Sequence, residues 1–242
     1  MTAELRKLIA MPTPRWTLAA VLFGAAVAML VAALAGPGDG ADMMPVQLGV
    51  GLTTTVGSIV LGAWIMGVEY GQRTLRRALS ADPSRARLVL AKLAVVFGTV
   101  TAVTLLVSLV SAPVFSAIAS AHGESIPIGD QLQYGLAALT NNLIYATVAF
   151  SLALFTRSMA GGMALALVFA FVIDSLMAAI PVVGDYSLST GVVQLMTQIS
   201  GSNIAHLEDA DPNVLQAIGV TAAWLVAMVG ISVTRFMRTD VE

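Results

Sequence analysis

Residues 93–119 read LAVVFGTVTAVTLLVSLVSAPVFSAIA, an unbroken run without Asp, Glu, Lys or Arg. A helix rises about 1.5 Å per residue and the hydrocarbon core of a bilayer is about 30 Å thick, so about 20 apolar residues cross it. This run is longer than that, and it lacks the alternation of apolar and polar residues that marks a barrel strand. Water is absent inside lipid, so a spanning backbone must satisfy its own N–H and C=O groups, and only helices and closed barrels do so. Residues 93–119 therefore read as a transmembrane helix. The same test applied outward finds four more runs, at about 16–35, 46–68, 132–156 and 214–234, and one near miss at 158–180, which contains Asp174. The expected fold is all-α, a single polytopic domain over residues 1–242 with six spans.

Composition agrees. Hydrophobic residues make up 57% of the 242 and charged residues 11%, against about 25% charged in a soluble domain. A water-soluble globule is excluded. The net charge of -2 gives no nucleic-acid-binding surface. The chain has no cysteine, which removes disulfide frameworks, thiol nucleophiles and thiolate metal sites.

Charge position sets orientation, because short cytoplasmic loops retain Lys and Arg. Arg6, Lys7 and Arg15 precede the first span, and Arg73, Arg76, Arg77, Arg85, Arg87 and Lys92 lie between the second and third. Arg157, Arg235 and Arg238 complete the set, all on one side. The opposite loops carry Asp39, Asp42, Glu124, Asp130, Asp185, Glu208, Asp209 and Asp211 and no basic residue. Both termini are expected in the cytoplasm, and the first run reads as a retained anchor rather than a cleaved leader. Leu5, Leu8 and Ile9 share a helical face, so residues 1–15 are expected to hold a helix in the inner interface; the plainer alternative is a basic leader that only sets topology. Pro12 and Pro14 are expected to break it before Trp16, an interfacial anchor.

The segment Gly67-Val68-Glu69-Tyr70-Gly71-Gln72-Arg73-Thr74-Leu75-Arg76-Arg77-Ala78-Leu79-Ser80-Ala81-Asp82-Pro83-Ser84-Arg85 holds more than topology requires. Glu69 and Arg73 stand at i and i+4, which favours continuation of the second span as helix into the cytoplasm. Ser80 or Asp82 is placed to cap a new helix with Pro83 in its first turn. A helix-break-helix knob within the cytoplasmic stretch 69–92 is expected; a basic loop that merely enforces orientation is the alternative.

Glu69-Tyr70, Thr74-Leu75-Arg76, Leu79, Pro83-Ser84-Arg85 and Ala91-Lys92-Leu93 resemble the pattern after the second span of type-2 ABC transporter permeases, the group of the bacterial drug and lantibiotic exporters. The Glu-Leu-Arg-Lys-Leu opening and the six-span layout fit it too. Where that family often has Gly before the Thr, this chain has Arg73. The resemblance implies a coupling helix that docks in a separate cytoplasmic ATP-binding cassette ATPase, with Glu69, Arg73, Thr74, Leu75, Arg76 and Leu79 as coupling residues. It also implies a homodimer or heterodimer of permeases in the bacterial cytoplasmic membrane, with the substrate route between them, and efflux of hydrophobic or amphipathic compounds. This chain has no Gly-rich loop leading to Gly-Lys-Ser/Thr, since its two lysines follow Arg6 and Ala91. It is therefore expected to be no enzyme and to hold no cofactor of its own, with ATP and magnesium bound by the partner.

Polar residues within spans are the remaining candidates. Asn141 and Asn142 fall in the fourth span, and Thr53, Thr54, Thr55 and Ser58 in the second. They read as interhelical packing groups first and pathway groups second. Asp174, an acid in the fifth run, lies six residues before Pro181, close enough to the outer interface to be hydrated, with a transport or proton-coupling role as the sharper alternative. Pro113 is expected to kink the third span. Gly161, Gly162, Gly67 and Gly71 permit close contact between helices, a hint of dimerisation. In the outer segment 181–213, Val192, Val193, Leu195, Met196 and Ile199 outline a short amphipathic helix on, or dipping into, the outer leaflet, and the related exporters have re-entrant helices there. His206, Glu208, Asp209 and Asp211 have the residue types of a metal site but read as a solvated acidic loop, so no metal is expected.

Two other classes compete with the transporter: a membrane scaffold or sensor, and an intramembrane enzyme, which would need catalytic groups at matching depth. Because the chain has no cysteine, a single one at Ser125 tests the map: a membrane-impermeant maleimide should label it from outside intact cells, and protection there would overturn six spans.

Overall fold

A computed structural model describes residues 12–35, 44–72, 74, 84–121, 127–200 and 213–238. All their regular elements are helical: α1 Pro12–Ala35, α2 Met44–Gly71, α3 Arg85–Ala121, α4 Ile128–Thr156, α5 Met159–Val168, α6 Asp174–Ala178, α7 Leu188–Ser200 and α8 Val214–Arg238. A π turn, Phe169–Ile173, joins α5 to α6, and a 3-10 turn, Gly184–Tyr186, leads into α7. By length and composition, five helical segments are able to cross a membrane: Gly49–Gly71, Arg85–Ala121, Ile128–Thr156, Met159–Ala178 and Val214–Arg238. The 24-residue α1 precedes them. The chain is a polytopic all-α membrane protein.

Several boundaries differ from expectation for identifiable reasons. Pro12 and Pro14 stand at the start of the first described helix, and the segment ahead of them lies outside the described residues. They sit in the first turn of α1, where missing N–H groups cost nothing. Ser80, Asp82 and Pro83 lie outside the described residues; α3 starts at Arg85, where the Ser84 hydroxyl accepts the Arg87 N–H at 3.3 Å. This helix has 37 residues, about 55 Å of rise, so its first two turns extend past the apolar run at the basic end of the bundle. The expected interfacial helix over residues 1–11 lies outside the described residues.

The core forms where α2 and α4 meet, the most extensive helix pair. Ile59, Met66, Val96, Val148, Phe150 and Leu154 are almost fully buried there. Gly62 makes this approach possible: a Cβ on it would lie 2.3 Å from the Ala146 carbonyl oxygen. Small residues replace the hydrophobic driving force that lipid removes, because backbone proximity multiplies van der Waals contacts. Gly67 faces Met159 and Gly162 faces Ala153 equally closely. Both are therefore consumed by packing within the chain, which removes them as a hint of dimerisation. A smaller apolar cluster, Val21, Ala25, Met29 and Val107, joins α1 to α3.

The turn between α4 and α5 is tight. Arg157 adopts φ 55° and ψ 30° to end α4, and the Ser158 hydroxyl caps α5 by accepting the Gly161 N–H at 3.2 Å. At the same end Arg85 donates to the Phe236 and Met237 carbonyls at 2.8 and 3.1 Å, and the Arg235 guanidinium stacks 4.3 Å from the Phe155 ring centroid. These contacts close the bundle by tying α8 to α3 and α4.

Gly62→Val should prevent stable packing, measured as loss of the monodisperse peak in mild detergent and a fall in thermal midpoint. Gly98→Ala, at a position with nothing within 4 Å of its Cβ, should leave both unchanged.

Candidate functional site

At the basic end, α2 runs on past its apolar stretch to Gly71, and Glu69 points into the protein rather than toward solvent. It is 1% exposed, as Lys92 of α3 is 0% exposed. The Lys92 ammonium sits 3.0 Å from Glu69 Oε1 and donates to the Ile65 carbonyl at 3.1 Å. Thr74 completes the arrangement: its N–H donates to the Glu69 carbonyl at 3.1 Å, and its hydroxyl to Glu69 Oε2. Removing two charges from water costs several kcal/mol per ion, which only close pairing and further hydrogen bonds offset. Both are present. The pair bridges the last turn of α2 and the second turn of α3, so it clamps the two ends of the connecting loop together. Arg73, Leu75, Arg76 and Leu79 lie outside the described residues.

Lys92 is the partner that sequence reasoning missed, having assigned it to topology. The available signal was an acid and a base at the inner edges of consecutive spans, which an antiparallel hairpin brings to one depth. Arg85, quoted in the Pro83-Ser84-Arg85 turn, ties the base of α3 to the end of α8, a contact that the sequence did not signal.

Further along the bundle a polar seam crosses three helices. Asn142 is 0% exposed; its Nδ2 donates to Thr104 of α3 at 3.0 Å and its Oδ1 accepts from Thr55 of α2 at 3.3 Å. Asn141 Nδ2 donates to Thr55 at 2.7 Å. Thr54 and Ser58 turn back on their own helix, to the Gly51 and Thr54 carbonyls. The seam is therefore made by Thr55, Thr104 and the two asparagines, and Ser58 takes no part. Beside it lies a cavity of about 370 Å³ lined from α2, α3, α4, the π turn and α7, with Thr54, Thr55 and Asn141 on its wall.

Asp174 belongs to a different arrangement. It is 0% exposed rather than hydrated. Its Oδ1 accepts the Leu188 N–H at 2.8 Å and its Oδ2 the Ser189 N–H at 2.7 Å. Free N–H groups and the positive end of the helix dipole at the start of α7 make a good carboxylate partner. The π turn immediately before Asp174 is the local irregularity next to this cap. The expected amphipathic helix is therefore real as α7, but it is pinned into the bundle between α4 and α8. Trp224 supports the turn before it, donating to the Tyr186 carbonyl at 2.9 Å.

Residues 2–173 match the family described as ABC-2 family transporter protein, a stretch that includes the clamp, the seam and the cavity wall up to the π turn. No curated protein matches the chain.

The clamp makes a quantitative prediction. Lys92→Met or Glu69→Leu alone should each destabilise the protein by about 3–5 kcal/mol, because each leaves a buried charge unpaired. The double variant should recover much of that loss. Additive losses in thermal unfolding would show that the two charges do not act as a pair.

Proposed function

The chain belongs to the ABC-2 family of transporter proteins and is a multi-pass membrane permease of the ATP-binding cassette type, and from that premise we propose that it is the membrane subunit of an exporter driven by a separate cytoplasmic ATPase. The observation that carries this reading is the Glu69–Lys92 clamp. Coupling needs force applied to a loop to reach the spans rather than be absorbed by slack in the chain. A loop whose two roots are joined by a buried, hydrogen-bonded ion pair moves as one body with the lower ends of α2 and α3. A push on residues 74–81 would then tilt both helices together.

In this reading Arg73, Thr74, Leu75, Arg76 and Leu79 present the docking surface, and Glu69 holds it to the bundle. ATP and magnesium belong to the partner chain. Two permeases, identical or not, complete the translocation unit, and the cargo is hydrophobic or amphipathic. A scaffold or sensor would not need its loop roots locked. An intramembrane enzyme is disfavoured because the buried acids are occupied, Asp174 in capping α7 and Glu69 in pairing with Lys92.

The test is to purify the tagged chain in mild detergent from its native cells and to identify the co-purifying chains with ATP hydrolysis measured alongside. A stoichiometric partner with a phosphate-binding loop is expected. Leu75→Asp should abolish its recovery and the ATP-dependent efflux while leaving the permease inserted. Undiminished efflux in that variant would overturn the coupling role of the loop.

A further inference from the structure

The cavity beside the polar seam has a wall chemistry that selects its occupant. Among the described residues, no Asp, Glu, Lys or Arg lines it, so an ion entering would lose its hydration with no compensating charge. Most of the wall is apolar, including Phe171 from the π turn and Val193 and Met196 from α7. Its volume of about 370 Å³ falls within the range of small-molecule pockets.

The polar groups on the wall are unevenly used. Asn141 spends its Nδ2 on Thr55 and Asn142, whereas its Oδ1 accepts nothing from the described residues. The hydroxyls of Ser108 on α3 and Tyr134 on α4 also have no hydrogen-bond partner among the described residues. None of these three oxygens is among the buried unpartnered atoms, so each remains reachable. An amide oxygen accepts, and the two hydroxyls donate or accept. The wall thus offers at least one acceptor and two donors set in an apolar lining.

We infer that this cavity is a binding site, complete within one subunit, for a single small uncharged amphipathic molecule that donates a hydrogen bond to Asn141 Oδ1 and accepts from Ser108 or Tyr134. This differs from a route lying only between two permeases. α7 forms one wall of the site, and the Asp174 cap holds the start of that helix in place. The inference rests on the permease reading only in calling the occupant cargo; binding itself is measured without ATP, partner or transport, so the two can fail separately.

The test uses the full chain in phosphatidylcholine nanodiscs and two fluorophores with one skeleton. N-Phenyl-1-naphthylamine is uncharged and has an N–H donor; 8-anilinonaphthalene-1-sulfonate adds a sulfonate. The readout is the saturable fluorescence lost when Ala138→Phe fills the cavity. The uncharged probe should show such a component at about one per chain, and the sulfonate should show none. Asn141→Leu, which removes the acceptor for the probe's N–H, should weaken the uncharged probe about five- to tenfold, since a net hydrogen bond contributes about 1 kcal/mol. This milder variant decides the matter if Ala138→Phe does not fold. The inference is overturned by saturable binding of the uncharged probe that is undiminished in both variants, by its absence from the parent chain, or by a sulfonate component of equal strength that the filled variant loses.

Discussion

The buried Glu69–Lys92 pair is the constraint on which the basic end of the bundle depends. A lysine at 0% exposure beside a glutamate at 1% is tolerated only because the ammonium also reaches the Ile65 carbonyl and the carboxylate also accepts from Thr74. Such a pair contributes little net stability over an apolar substitute. What it does contribute is register: opposite charges fix which turn of α2 faces which turn of α3. The loop roots are consequently at a defined separation, and the chain leaving α2 is directed by Thr74 from its first residue.

Asp174 applies similar logic away from the basic end, with backbone in place of a basic side chain. A carboxylate there is expensive unless its oxygens are satisfied, and the first N–H groups of α7 need acceptors equally. Each need satisfies the other. The π turn adds one residue's worth of rotation to the helix just before the acid, and Ala170 and Phe171 of that turn line the cavity. One irregularity therefore adjoins both the anchored short helix and the ligand-sized space beside it.

The spans were legible in the sequence because burial in lipid imposes a composition that needs no knowledge of tertiary contacts. Residues 93–119 are recognisable by the absence of charge alone. The amphipathic spacing of Val192, Val193, Leu195, Met196 and Ile199 announced α7 as well. Pairings were far less legible. Lys92 reads as a topology signal until α2 and α3 are laid antiparallel, and Thr55 is indistinguishable from Thr53 or Thr54 until the facing helix supplies Asn142. Asp174 looked hydrated because counting residues toward Pro181 measures distance along the chain. The following segment turns back at Val182, with φ 68°, and brings the start of α7 to the acid.

The same limit applies to the glycines. In lipid a glycine marks a close helix approach, but the sequence does not say whether the approaching helix belongs to the same chain. Gly62, Gly67 and Gly162 all meet Ala146, Met159 or Ala153 of this subunit, whereas Gly71, Gly98, Gly219 and Gly230 face open space. The intramolecular glycine contacts lock α2, α4 and α5 into one block, to which the clamp adds the base of α3. A block of that kind transmits displacement from its basic end with little internal give, because close-packed interiors have few voids to absorb strain. The cavity lies between that block and α7, the short helix held at its start by Asp174.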